Sequence, residues 1–350
     1  MSICGCLSAF SARGNRSTNH IRYLVGEVPE KNQKNQGASP IRKQLALCYY
    51  YWVPAFDPQA TRFSAKNAVL LAQLSNAAYR TQIDAETIVR QQLGFTDFYW
   101  IDLTKQFQNV YAIGARCDEF AVVAFRGTQN VKDWMTDLQA TPVSFQWIFE
   151  NGPNVGSIHA GFGHAVRDAW RKVSTVVEKM IPPPPDSKDL KGLSTTPQRT
   201  LWLTGHSLGA ALAVLAGAAF SMWQQARIRP VNGVYTFGQP RVGLYQFCGN
   251  YDHVLNAKTF RFVNKEDLVP RVPFRGWDYA DIGRMIHFTS NGEPKLESSE
   301  WTNFLSRTFQ SFRDFFHIAT NLQTDVGDHA MDSYQQLVES QAAALAALQL

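Results

Sequence analysis

The sequence predicts an α/β fold with a mostly parallel central sheet and helices on both faces. Two observations carry this. Short apolar runs of strand length alternate with longer segments of helical periodicity, a pattern that builds parallel sheets buried on both faces. One run, TLWLT at 200–204, leads directly into GHSLGAALAVLAGAAF, a glycine-flanked serine followed by a helix of small residues.

Residues 1–45 are polar and are expected to form a basic, disordered tail ahead of a catalytic domain over 46–350. Within 1–47 there are seven basic and two acidic residues, which accounts for the whole net charge of +5. Such a tail can touch anionic lipid at about 1 kcal/mol per near-surface basic residue; a solvated leader is the plainer reading. From Cys48 the chain turns apolar and aromatic. Residues 63–79 show apolar positions Val69, Leu70, Leu74, Ala77 and Ala78 at helical spacing. Residues 109–127 read as two strands around a turn at Cys117–Asp118–Glu119. Phe162, Val166, Trp170, Val173, Val177 and Ile181 mark one face of a helix over 162–181. The proline-rich stretch 182–199 is a surface loop. Residues 200–204, 232–237 and 259–264 are strands, and 300–320 is expected to be helical.

Composition narrows the class. An apolar fraction of 45% and a charged fraction of 18% are those of a globular protein. The N-terminus lacks the apolar core of a secretory signal, and no apolar run reaches the roughly 20 residues of a membrane span. The five cysteines form no C-x-x-C pair, so a reducing, cytoplasmic setting is expected, with peripheral membrane contact as an option. Cys4 and Cys6 beside the basic tail are weak acylation candidates. Metal, nucleotide and nucleic-acid recognition motifs are absent, and no cofactor is expected.

Gly205-His206-Ser207-Leu208-Gly209 fits G-x-S-x-G in its required strand–turn–helix context. The turn strains the backbone at the serine, and side chains at the flanking glycines would strike the neighbouring strand and helix. The serine then sits at a helix N-terminus, where free N–H groups favour developing negative charge. Leu208 supplies one oxyanion N–H. The alternative for Ser207 is a plain N-cap before a core helix.

At this point the chain resembles the fungal-type, class 3 triacylglycerol lipases of the α/β-hydrolase fold. The resemblance rests on LSNAAY at 74–79, VVAFRGT at 122–128, HAGF at 159–162, TGHSLGAALA at 204–213, YTFGQPRVG at 235–243, FVNKEDLVPRVP at 262–273 and GDHAMDSY at 327–334. It spans about 60–340. It implies that Ser207 is the nucleophile, Asp267 the triad acid and His329 the base, in the chain order Ser, acid, His. Glu266 adjoins Asp267 and competes with it as a surface charge. His159 and His206 are alternative bases, His206 pointing away from the serine and His159 structural. The resemblance also implies that Thr128 supplies the second oxyanion donor and that Asp137 supports its side chain; a helix-surface carboxylate is the alternative for Asp137.

Between them, Val131, Trp134, Met135 and Leu138 form an apolar stripe at i, i+3, i+4, i+7. The family implies a short helical lid here; an ordinary core helix is the alternative. Burying four such side chains at a lipid surface, at roughly 1.5–3 kcal/mol each, would shift a closed–open equilibrium. The long insertion between Asp267 and His329 is expected to build part of an acyl site or to pack as an extra helix. The expected function is lipid ester hydrolysis through an acyl-serine intermediate. The expected partners are a lipid ester and, transiently, a lipid or membrane surface; no nucleic acid or protein partner is evident. Phospholipase A1 and general carboxylesterase are alternatives, as is a lipid-binding module that has lost turnover.

Overall fold

The computed structural model describes residues 56–103, 111–128, 141–149, 152–182, 199–223, 231–296, 326–348 and 350. The basic tail, most of the proline-rich loop, Asp137, the stripe Val131, Trp134, Met135 and Leu138, and segment 300–320 lie outside the described residues. Chain contacts divide the protein between Tyr49 and Tyr50, and everything below concerns the second unit.

Twelve strands are formed by the described residues. They are β1 (Asp97–Asp102), β2 (Tyr111–Arg116), β3 (Phe120–Phe125), β4 (Pro142–Ser144), β5 (Ser157–His159), β6 (Thr200–His206), β7 (Val231–Phe237), β8 (Gly243–Leu244), β9 (Thr259–Asn264), β10 (Tyr279–Ala280), β11 (Arg284–Phe288) and β12 (Pro294–Leu296). Eight make the main sheet in the order β1-β2-β3-β6-β7-β9-β11-β12. The run β3-β6-β7-β9-β11 is parallel throughout. The pairings β1–β2, β2–β3 and β11–β12 are antiparallel. A second sheet, β10-β8-β5-β4, is built from strands of two or three residues.

The longer helices are α1 (Ala65–Ala77), α2 (Ala160–Met180), α3 (Leu208–Met222), α4 (Tyr245–Leu255) and α5 (Met331–Ser340). They cover both faces. Alternation along β3 sends Val122 and Ala124 into a core with α1 and α5, and Val123 and Phe125 into a core with α2, α3 and α4. The architecture is the expected α/β one. Every residue of α3 except Ser221 is buried, as an apolar helix without a polar face must be. Its small residues let it lie close to the sheet: a Cβ on Gly209 would stand 2.2 Å from the carbonyl oxygen of Phe125.

The insertion between Asp267 and His329 departs from expectation. Residues Arg284–Phe288 within it form strand β11, parallel to β9, rather than an extra helix. Ile286 and Phe288 alternate into the α1–α5 core, which gives the segment its strand period. Among the described residues no helix is long and apolar enough to cross a membrane.

Candidate active site

Three chain segments converge at the carboxyl ends of the parallel strands, where open α/β sheets carry their sites. The first is the turn from β6 into α3. Ser207 sits there at φ 58°, ψ −127°, a region that non-glycine residues occupy only when their surroundings force it. What forces it is contact on both sides. A Cβ on Gly205 would meet the carbonyl oxygen of Gly209 at 2.3 Å, so the strand and the first turn of the helix touch backbone to backbone. The Ser207 N–H donates to the carbonyl of Phe237 on the adjacent strand at 3.0 Å. Leu208 opens α3, and its N–H belongs to the first turn, which has no intrahelical acceptor.

The second segment follows β9. Asp267 is buried, at 1% exposure, while Glu266 beside it is exposed. Asp267 Oδ1 accepts the N–H of Val269 at 2.9 Å, and Oδ2 accepts from His329 Nδ1 at 2.8 Å and from the Tyr334 hydroxyl at 2.6 Å. The third segment brings His329 itself, ahead of α5. Its Nδ1 faces a buried carboxylate oxygen, which only accepts, so Nδ1 carries a proton and Nε2 is left facing away from Asp267. Gly238, after β7, makes room for this pair. It has φ 57°, and a Cβ there would stand 2.8 Å from His329 Cε1 and 3.0 Å from Asp267 Oδ2.

Ser207 is fully buried, with 0% exposure. Its Oγ and His329 Nε2 are both enclosed, and neither bonds a described residue. The structure therefore joins His329 to Asp267 but forms no Ser207–His329 hydrogen bond. Such bonds are often long before substrate arrives. Thr128 lies three residues beyond β3, half-buried. Its neighbour Gly127 is pressed against the serine turn, with an added Cβ falling 3.0 Å from Ser207 Cβ. His206 does turn away from the serine, toward Tyr79 and the His329 carbonyl. His159 ends β5 and packs its ring 4.4 Å from that of Phe162.

Several participants carried no signal of their own in the sequence. Tyr334 is the clearest: its hydroxyl donates to Asp267 and accepts the N–H of Asn264 at 3.0 Å. Burial first, and then the Asp267 carboxylate, push its phenol well above the usual range, so it stays a donor. Its position five residues after His329 in GDHAMDSY was the available hint.

Against this geometry stand the comparisons. The model of the family "Lipase (class 3)" matches residues 122–277, from β3 through the serine turn to beyond Asp267. That stretch, somewhat under half of the chain, is similar to the class 3 lipases. Triacylglycerol lipase OBL1 of Arabidopsis thaliana is 28% identical over 259 residues, covering 63% of this chain and 49% of its own length. Phospholipase A1-II 1 of Oryza sativa subsp. indica is 28% identical over 183 residues, covering 51% and 45%. The chain spans about half the length of the curated relatives it matches. Among solved structures, a triacylglycerol lipase described as having a serine protease triad at its catalytic centre superimposes with a TM-score of 0.52. It is 22% identical and covers 71% of this chain and 91% of that one. At that identity the likeness speaks for the α/β-hydrolase fold.

Proposed function

We propose that this chain is a class 3 lipase, a serine hydrolase of lipid esters with an acylglycerol as substrate. The observation that supports it most is the buried Asp267–His329 pair facing the strained turn that holds Ser207. In this reading His329 Nε2 takes the Ser207 proton as Oγ attacks the ester carbonyl. The N–H of Leu208 and the N–H and hydroxyl of Thr128 receive the oxyanion, with Asp137 supporting Thr128. His329 then returns the proton to the departing alcohol, and water repeats the sequence on the acyl-serine. Asp267 holds the imidazole in its productive tautomer and offsets its positive charge.

Full burial of Ser207 means that ester access requires an opening. The apolar stripe Val131, Trp134, Met135 and Leu138 is the candidate for what moves, with a lipid surface receiving its apolar face. This makes a lipid surface the working environment.

Replacing Ser207 tests the reading. Ser207→Ala should abolish ester hydrolysis while the circular dichroism spectrum and melting temperature stay those of a folded protein; full activity in that variant would end it. Phospholipase A1 is the second reading, favoured by the rice relative whose name carries that activity. A panel of triacylglycerol, diacylglycerol and phospholipid separates the two, since release of lysophospholipid with a free sn-1 position selects the second.

A further inference from the structure

A hydrogen-bonded path runs behind the site and uses no side chain assigned above as nucleophile, acid or base. The N–H of Gly127 donates to the Tyr79 hydroxyl at 3.2 Å. That hydroxyl lies 2.7 Å from His206 Nδ1. His206 Nε2 lies 2.6 Å from the backbone carbonyl of His329. Chemistry fixes the direction of every bond. A carbonyl only accepts, so Nε2 carries the His206 proton. A neutral imidazole has one N–H, so Nδ1 accepts, and the Tyr79 hydroxyl donates to it. The phenol oxygen in turn accepts from Gly127.

We infer that Tyr79 and His206 are positioning residues that hold the oxyanion loop and the base in register with each other. The inference rests on the proposed function. Gly127 immediately precedes Thr128, and an added Cβ on it would stand 2.5 Å from the Tyr79 oxygen and 2.6 Å from the His206 carbonyl, so the loop has no slack against the pair. At the other end, His206 grips the main chain of His329 rather than its ring. The ring itself is held by Asp267 through Nδ1, so main chain and ring have separate anchors. The two imidazoles lie 4.6 Å apart between centroids.

Neutrality matters for this role. Burial, and secondly the neighbouring His329, push His206 well below its usual range. Burial likewise pushes the Tyr79 phenol above its own, against the opposing pull of the Gly127 N–H and Arg126. When His329 becomes an imidazolium during the reaction, the ring beside it therefore carries no charge to repel it. A second titrating histidine at that distance would oppose the proton transfer.

The relay links two things that must move together in the chemical step, so its loss should appear in turnover rather than in substrate binding. Tyr79→Phe removes one oxygen and leaves the ring. His206→Gln keeps an N–H within reach of the His329 carbonyl but breaks the bond to Tyr79. Turnover of a short-chain p-nitrophenyl ester is measured per Ser207 titrated with a fluorophosphonate, so only folded, labelled protein is counted. Wild-type turnover lost in Ser207→Ala upholds the proposed function independently; absence of both would fail that function and not the relay.

Each single variant should lower kcat by roughly 10- to 100-fold, the scale of a misplaced catalytic geometry, with KM changed less than threefold. The double variant should be little worse than the poorer single one, because either break opens the same path. Single-variant kcat within twofold of wild type would overturn the inference. So would losses that multiply in the double variant, or losses that fall mainly on KM.

Discussion

At the scale of single residues, the site is an exercise in keeping charges and donors in their assigned states without water. Asp267 is buried but receives three hydrogen bonds, from Val269, His329 and Tyr334, which is how a carboxylate is tolerated inside a protein. Removing one donor should weaken it measurably. Tyr334→Phe takes away the 2.6 Å bond to Oδ2 and leaves the Asn264 N–H unpaired. A hydrogen bond to a charged group contributes about 1.5–3 kcal/mol. Steady-state kinetics should show kcat reduced by about tenfold or more with KM nearly unchanged, and thermal melting should show a lower Tm. Wild-type kcat in this variant would mean that Tyr334 only fills space.

Residue identity was also the level at which the sequence was most legible. The spacing of Gly205 and Gly209 around Ser207 predicted collisions with strand and helix, and the structure has an added Cβ 2.3 Å and 2.2 Å from main-chain oxygens at those positions. Asp267 over Glu266 could not be read from neighbouring letters, because burial distinguishes them and burial depends on the whole fold. Tyr79 and His206 were visible within LSNAAY and GHSLG, yet their pairing joins positions 127 residues apart. No local period records such a contact.

At the scale of elements, strands and helices with a regular period appeared where expected: α1, β2, β3, α2, β6, α3, β7 and β9. The shorter pieces did not. The second sheet is made of strands of two or three residues, too few for alternation to show. Strand β11 lay unrecognised inside an apparent insertion, where its polar flanks masked the Ile286–Phe288 alternation.

The loops around that insertion are tied by charge. Asp281 meets Arg241 Nε at 3.0 Å and Arg261 at 3.3 Å, and also pairs with Arg275. Arg241 further donates to the carbonyls of Arg271 and Pro273. Burial alone would raise the Asp281 carboxyl, but Arg261, Arg241 and Arg275 outweigh it and hold it well below the usual carboxylate range. A group depressed in the folded state contributes stability above its unfolded value of about 3.9, and that contribution is lost as pH falls toward the folded value. Asp281→Asn should therefore cost about 3–5 kcal/mol at pH 7, the scale for breaking a buried pair. It should also flatten the acid dependence of stability below pH ~4. Denaturant titrations at pH 7 and pH 3 check both. A variant as stable as wild type at pH 7 would contradict the assignment.

At the scale of the whole molecule, the sheet sorts the work. The core on one face carries α1 and α5, and with them Tyr79, Tyr334 and the approach to His329; the core on the other carries α3 and the turn that presents Ser207. The site lies where these two halves meet, and Ser207 has no exposed surface there. In the proposed reading, an ester reaches Ser207 only after an opening. With a short-chain ester, the rate should jump once substrate exceeds its solubility and forms a separate phase. A smooth saturation curve through that point would count against opening at an interface.

The central claim is that Ser207 is a nucleophile activated by His329 and Asp267. Fluorophosphonate labelling followed by peptide mass mapping tests it most directly. The account predicts one adduct, on the peptide carrying Ser207. It predicts no adduct in Ser207→Ala, and labelling slowed by at least about 10²-fold in His329→Ala, the lower end of what a general base contributes. An adduct on another residue, or equally fast labelling without His329, would contradict it.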